Sequence, residues 1–171
     1  MSDKEIKNEL KQLLAEAFQI SEDMVIKGKT TDLIVKCGDN ERDWYFFEVK
    51  STNKDNRKNK VKYFGATSLN QLIEAEKHPN HFYYIIVSIR NGVQRYVIVT
   101  PENLLSYMTG YYTIVDFNIP ESIINEYCVD KQKFKDNCIL LHHKQHFAEL
   151  TPKQQPKEDK IKEVKKLIQQ Q

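Results

Sequence analysis

Asp32, Glu48 and Lys50 are the residues of this chain whose types and spacing could do chemistry together. Asp32 opens the run DLIVKC at 32–37, while Glu48 and Lys50 end the aromatic run WYFFEVK at 44–50. Strand alternation places Glu48 and Lys50 on one face. If the two runs form a hairpin, the start of the first lies against the end of the second, and Asp32 joins them. Magnesium takes about six oxygen ligands and usually one or two carboxylates, which Asp32 and Glu48 could supply. The backbone carbonyl of Val49 could add a third oxygen, with water and a substrate phosphate completing the shell. An ion so held would polarise the phosphate and lower the pKa of a water. Lys50 could orient that water or offset charge developing on the phosphate. The same residues could also form an ordinary cross-strand salt bridge, Lys50 with Asp32 or with Glu48. Their place beside Tyr45, Phe46 and Phe47 bears on the choice, because charges at the end of an apolar strand need a partner or a metal when buried.

Those three residues need elements to position them. Ile6, Leu10, Leu13, Leu14, Ala17 and Phe18 recur at helical spacing, which predicts an amphipathic helix over 3–19. Met24 to Lys27 predicts a short first strand broken at Gly28, and the turn formers GDNERD between 32–37 and 44–50 predict a hairpin. Thr67 or Ser68 can cap a helix carrying Leu69, Leu72, Ile73 and Ala75 that ends before His78 and Pro79. FYYIIVSI at 82–89 reads as a strand covered on both faces, paired with 95–99 across Asn91-Gly92. Thr100-Pro101-Glu102 starts a short helix with Leu104, Leu105 and Met108. YYTIVDFNI beyond Gly110 suggests another strand, and 120–147 carries no legible pattern.

An apolar content of 40% suits one α/β domain over 1–150, followed by a Lys- and Gln-rich tail over 151–171 that is expected to be flexible. Ile161, Val164 and Ile168 give that tail one weak helical face. With 26 basic and 24 acidic residues, the net charge of +2 does not announce a polyanion partner, so distribution must carry that argument. The stretch from Lys50 to Lys62 holds Lys54, Arg57, Lys58, Lys60 and Lys62 against the lone acid Asp55. It reads as a solvated turn or, beside the candidate site, as a phosphate-contacting loop. The charged opening MSDKEIKNEL lacks an apolar leader and no stretch approaches a membrane span, so a cytoplasmic protein without membrane contact is expected. Cys37, Cys128 and Cys138, odd in number and without a close pair, are expected to be reduced.

With an Asp opening one strand, a Glu-x-Lys on the next and this order of elements, the chain resembles the PD-(D/E)xK nuclease superfamily over roughly residues 3–99. EVKST at 48–52 is similar to the form found in Mrr-like and related restriction or DNA-processing nucleases. Thr31 stands where the family name has proline, a variation that removes no ligand. The resemblance implies a restriction-endonuclease-like αβββαβ core, a mixed central sheet flanked by helices, with 100–150 as a C-terminal extension. It implies phosphodiester hydrolysis with Mg²⁺ or Mn²⁺, most often on DNA, with RNA open to the same residues, in a restriction, defence or mobile-element role. It implies two further site residues, a Glu on the first helix (Glu9 ahead of Glu16) and a Gln on the following helix, Gln71. A homodimer or a larger targeting complex follows by analogy, since cutting both strands needs two centres. The same fold also admits a catalytically inactive module that binds a protein or a nucleic acid.

Other features carry less. His142 and His146 in LLHHKQHF form an i, i+4 pair, but no carboxylate or thiol completes a zinc site. Trp44, Tyr45, Phe46 and Phe47 read as core packing before base stacking. The absence of a Gly-rich phosphate loop and of a GxSxG elbow argues against nucleotide-driven and acyl-transfer chemistry.

Overall fold

In the computed structural model, which describes residues 2–53, 63–106, 116–144, 166 and 168–170, the apolar pattern resolves into a sheet covered by helices on both faces. The elements are α1 (Asp3–Phe18), β1 (Val25–Ile26), β2 (Leu33–Val35), β3 (Tyr45–Asn53), β4 (Tyr63–Ser68), α2 (Leu69–Glu76), β5 (Phe82–Arg90), β6 (Val93–Val99), α3 (Pro101–Ser106), β7 (Asp116–Pro120), α4 (Glu121–Tyr127) and α5 (Lys131–His142). Ser2 starts α1 by accepting the Glu5 amide at 3.2 Å, and Gln19 ends it in the left-handed region at φ 55°. The predicted stripe from Ile6 to Phe18 is buried.

Five strands pair in the order β1-β2-β3-β5-β6. β1, β2 and β3 form an antiparallel meander, β3 and β5 run parallel, and β6 returns antiparallel to β5. A parallel neighbour requires a crossover rather than a hairpin, and β4 with α2 supplies it. The β5–β6 connection is the predicted Asn91-Gly92 turn, with φ of 51° and 74°. Both central residues there need positive φ, which Asn and Gly tolerate best.

β5 is buried from Tyr84 to Ile89, so its alternating residues feed two cores. Phe47, Ile85 and Val87 face α1 and α5, while Phe46, Tyr84 and Ile86 face Ala75 of α2, Leu104 of α3 and Ile124 of α4. Burying each such side chain contributes about 1.5–3 kcal/mol. The segment without a legible pattern holds α4 and α5, and α5 packs Phe134, Cys138 and Leu141 into the core against α1. β4, which the sequence reading did not resolve, pairs antiparallel with β7 in a second, two-stranded sheet. The described elements of the 100–150 extension, β7, α4 and α5, thereby pack on the fold of 3–99.

Cys37, Cys128 and Cys138 are free thiols. No described helix is long and apolar enough to cross a membrane. Lys54, Arg57, Lys58, Lys60, Lys62, Met108 and His146 lie outside the described residues, as does most of the tail.

Candidate active site

A mismatch in strand length makes the site. β2 spans three residues and β3 nine, and their ladder ends at the pair Leu33 with Phe47. The next residues, Asp32 and Glu48, face each other where the backbone pairing stops. Gly28 allows the chain to pass close to the residues flanking Asp32, because a Cβ there would collide with the Thr31 carbonyl oxygen and press on Ile34. Side chains then replace the missing ladder. The Val49 N–H donates to Asp32 Oδ2 at 2.9 Å, and the Asp32 N–H donates to Glu48 Oε1 at 3.2 Å.

α2 completes the arrangement. Ser68 caps it by accepting the Gln71 amide, which sets Gln71 on the first turn, and Gln71 Nε2 donates to Glu48 Oε2 at 3.0 Å. Behind Gln71 stands a relay. The buried Tyr84 hydroxyl hydrogen-bonds Thr67 Oγ1, and Thr67 Oγ1 donates to Gln71 Oε1 at 3.3 Å. Tyr84 lies directly beside Glu48 in the parallel register of β3 and β5. An amide with both ends engaged has one orientation, so the relay fixes which end Glu48 meets.

Charge enters from α1. Lys7 Nζ lies 2.9 Å from Asp32 Oδ1, with both side chains half-buried. Asp3, one turn earlier, accepts the Ser51 hydroxyl at 3.1 Å and ties the helix start to β3. Asp3, Lys7, Asp32, Glu48, Lys50, Ser51 and Gln71, with Ile6 and Val49, line a cleft of about 330 Å³. A more apolar groove of the fold, between the end of α2 and α3, is lined by Leu72, Phe82, Leu105 and Ile168 and contains none of these groups.

The two carboxylates differ in state. Burial, then the nearby Asp32 charge and a hydrogen bond between the two carboxyls, push Glu48 up to about 8 despite Lys50. Burial acts on Asp32 in the same direction, but the Val49 amide and Lys7 outweigh it and hold Asp32 below the usual carboxylate range. At neutral pH the pair therefore shares one proton and one negative charge. Burial also raises the Tyr84 phenol, which keeps it a donor.

Two carboxylates, oxygen donors only, opening on a polar cleft fit a hard divalent cation, and the retained proton sits where such a cation would relieve their repulsion. Among the described residues no group of three or more His, Cys, Asp or Glu side chains converges, so any such ion would complete its shell from backbone, water or substrate oxygens.

Of the residues singled out in sequence, Asp32, Glu48, Val49, Lys50 and Gln71 come together in this cleft. Glu9 does not: it accepts the Tyr96 hydroxyl and pairs with Lys131 of α5 at 3.1 Å, on the face of α1 turned towards α5. Glu16 likewise pairs with Lys135 at 2.7 Å. The reason is helical phase, since Asp3 and Lys7 occupy the face that meets β3. Among the described residues the ion pair to Asp32 is made by Lys7 and not by Lys50. Lys7 and the site roles of Thr67, read as a possible helix cap, and of Tyr84, read as strand packing, escaped the sequence reading, and the available signal for Lys7 was the i, i+4 spacing of Asp3 and Lys7 beside the apolar Ile6. His142 packs on Phe18 with ring centroids 4.7 Å apart, as a packed histidine does.

No protein-family model, curated protein or solved structure matches the chain. The roles of these residues rest on their own geometry.

Proposed function

We propose that this chain is a Mg²⁺- or Mn²⁺-dependent nuclease that hydrolyses phosphodiester bonds, in DNA first, on a restriction-endonuclease-like αβββαβ core. The observation that carries the reading is the meeting of Asp32 and Glu48 at the end of the β2–β3 ladder, in one cleft with Lys50 and Gln71. The succession of α1, the antiparallel strands β1 to β3, a crossover through β4 and α2, and β5 parallel to β3 supports the core, with β4 as an addition that pairs outside the main sheet. The basic run Lys54, Arg57, Lys58, Lys60 and Lys62, which follows β3 directly in the sequence, supports a polyanionic substrate.

Asp32 and Glu48 would hold the metal, which when bound polarises the scissile phosphate and acidifies the attacking water. Gln71, fixed by Thr67 and Tyr84, orients the Glu48 carboxylate. The packed sheet under Glu48, which is 4% exposed, keeps bulk water from its buried side. Lys50 lies on the Glu48 face of β3 and presents its charge to the cleft, where it offsets negative charge gathering on the phosphate.

The test is cleavage of supercoiled plasmid, linear duplex, single-stranded DNA and RNA with Mg²⁺, Mn²⁺ or EDTA, by the native chain and by Lys50→Ala. Cleavage should need the metal and fall by at least about a hundredfold in the variant, the usual scale for loss of one electrostatic stabiliser. A folded native chain that cuts none of these and binds neither metal in calorimetry would overturn the reading and favour a nuclease-like binding module.

A further inference from the structure

Lys7 occupies the place a cation would need. One oxygen of Asp32 is committed to the Val49 amide, and the other lies 2.9 Å from Lys7 Nζ. A divalent ion coordinating the second of these oxygens competes with Lys7, since two cations cannot share one carboxylate oxygen at contact distance without strong repulsion. The Lys7 backbone is fixed, because its neighbours Ile6 and Leu10 on α1 are 1% and 0% exposed. Its stem is flexible, so the ammonium group can leave Asp32 while remaining over the cleft it lines. The α1 acid that lines the cleft, Asp3, already accepts the Ser51 hydroxyl.

We infer that Lys7 is a resident counter-ion of Asp32 that a divalent metal displaces and that then binds the substrate phosphate entering the cleft. This rests on the nuclease reading above and gives that site a second phosphate-binding cation, contributed by the first helix. Lys7 thereby links the two binding events. Without metal it neutralises Asp32 and offers little to a phosphate; with metal it is released to the substrate, so each ligand favours the other.

The experiment has two arms. Calorimetric Mg²⁺ titration, without nucleic acid, compares the native chain with Lys7→Met and Lys7→Arg. Removing the competing charge should tighten Mg²⁺ binding about three- to fivefold in Lys7→Met, whereas Lys7→Arg should stay near the native value. A merely structural role for Lys7 would weaken metal binding. In the second arm, duplex DNA affinity is measured with Mg²⁺ against salt concentration in a Lys50→Ala background, with and without Lys7→Met. Loss of one phosphate contact should reduce the slope of log affinity against log salt by about 0.9. Unchanged or weaker Mg²⁺ binding in Lys7→Met, or an unchanged salt slope, would overturn the inference while leaving the nuclease reading intact. A native chain that binds no Mg²⁺ would overturn both, and the native titration alone identifies that case.

Discussion

Glu48 is the carboxyl whose surroundings depart furthest from water, and its state ties stability to pH. Its folded pKa of about 8 lies above the ordinary 4.5, so between those values the folded chain keeps a proton that the unfolded chain has released. Stability contributed by that proton is complete below pH 4.5 and is lost as pH rises towards 8. Asp32 acts oppositely: its lowered pKa stabilises above the ordinary 3.8, and that contribution disappears as pH falls below it. Urea unfolding of the metal-free protein should therefore show greatest stability at about pH 4 to 5 and a decline to pH 8, which Glu48→Gln should flatten. A native profile that rises over that interval would contradict the assignment. Asp32, Glu48 and Lys50 were legible in the sequence because a hairpin and a strand period bring them together by short-range rules, whereas Gln71 was expected only through the resemblance to a nuclease family. Lys7, Thr67 and Tyr84 were not, since their roles depend on which face of α1 meets the sheet and on the parallel register of β3 with β5.

The elements that sequence failed to reveal are those with mixed local signals. α5 buries Phe134, Cys138 and Leu141 at helical spacing, but the polar Asn137 is also buried, at 2% exposure, and blurs the apolar stripe. β4 contains Gly65 and Ala66, poor strand formers, and exists through its pairing with β7, far along the chain. α1, β3, β5 and the Asn91-Gly92 turn were legible because propensity, period and turn chemistry agree there. α5 is nonetheless a main support of the site, since it holds α1 in the phase that turns Lys7 towards Asp32. Phe134 is fully buried and stacks on Tyr96 with ring centroids 4.9 Å apart. Phe134→Ala should cost about 3–5 kcal/mol in chemical denaturation. Because α5 anchors α1 through Tyr96, Glu9 and Lys131 as well, the fold should survive, with Mg²⁺ affinity measured below the unfolding range changed less than stability.

Across the whole molecule, the site draws on segments that are near and far in sequence. Asp32 and Glu48 are joined by a hairpin, whereas Gln71 and Tyr84 reach Glu48 only once α2 has crossed over and β5 has docked in parallel on β3. The described part of the extension beyond residue 100 adds β7 to β4 and α5 to α1, so the supports of the site are spread well beyond residues 3–99. Ladders of short loop form early in folding, while parallel pairing waits for a longer loop to close against its entropy. The parallel register of β3 and β5 thus sets an order of assembly. A chain halted after the hairpin would carry both acids side by side in water, titrating as ordinary surface groups. The raised pKa of Glu48 and the amide that orients it depend on α2 and on the docking of β5 against β3, so the chemistry of the cleft requires that parallel pairing to have closed.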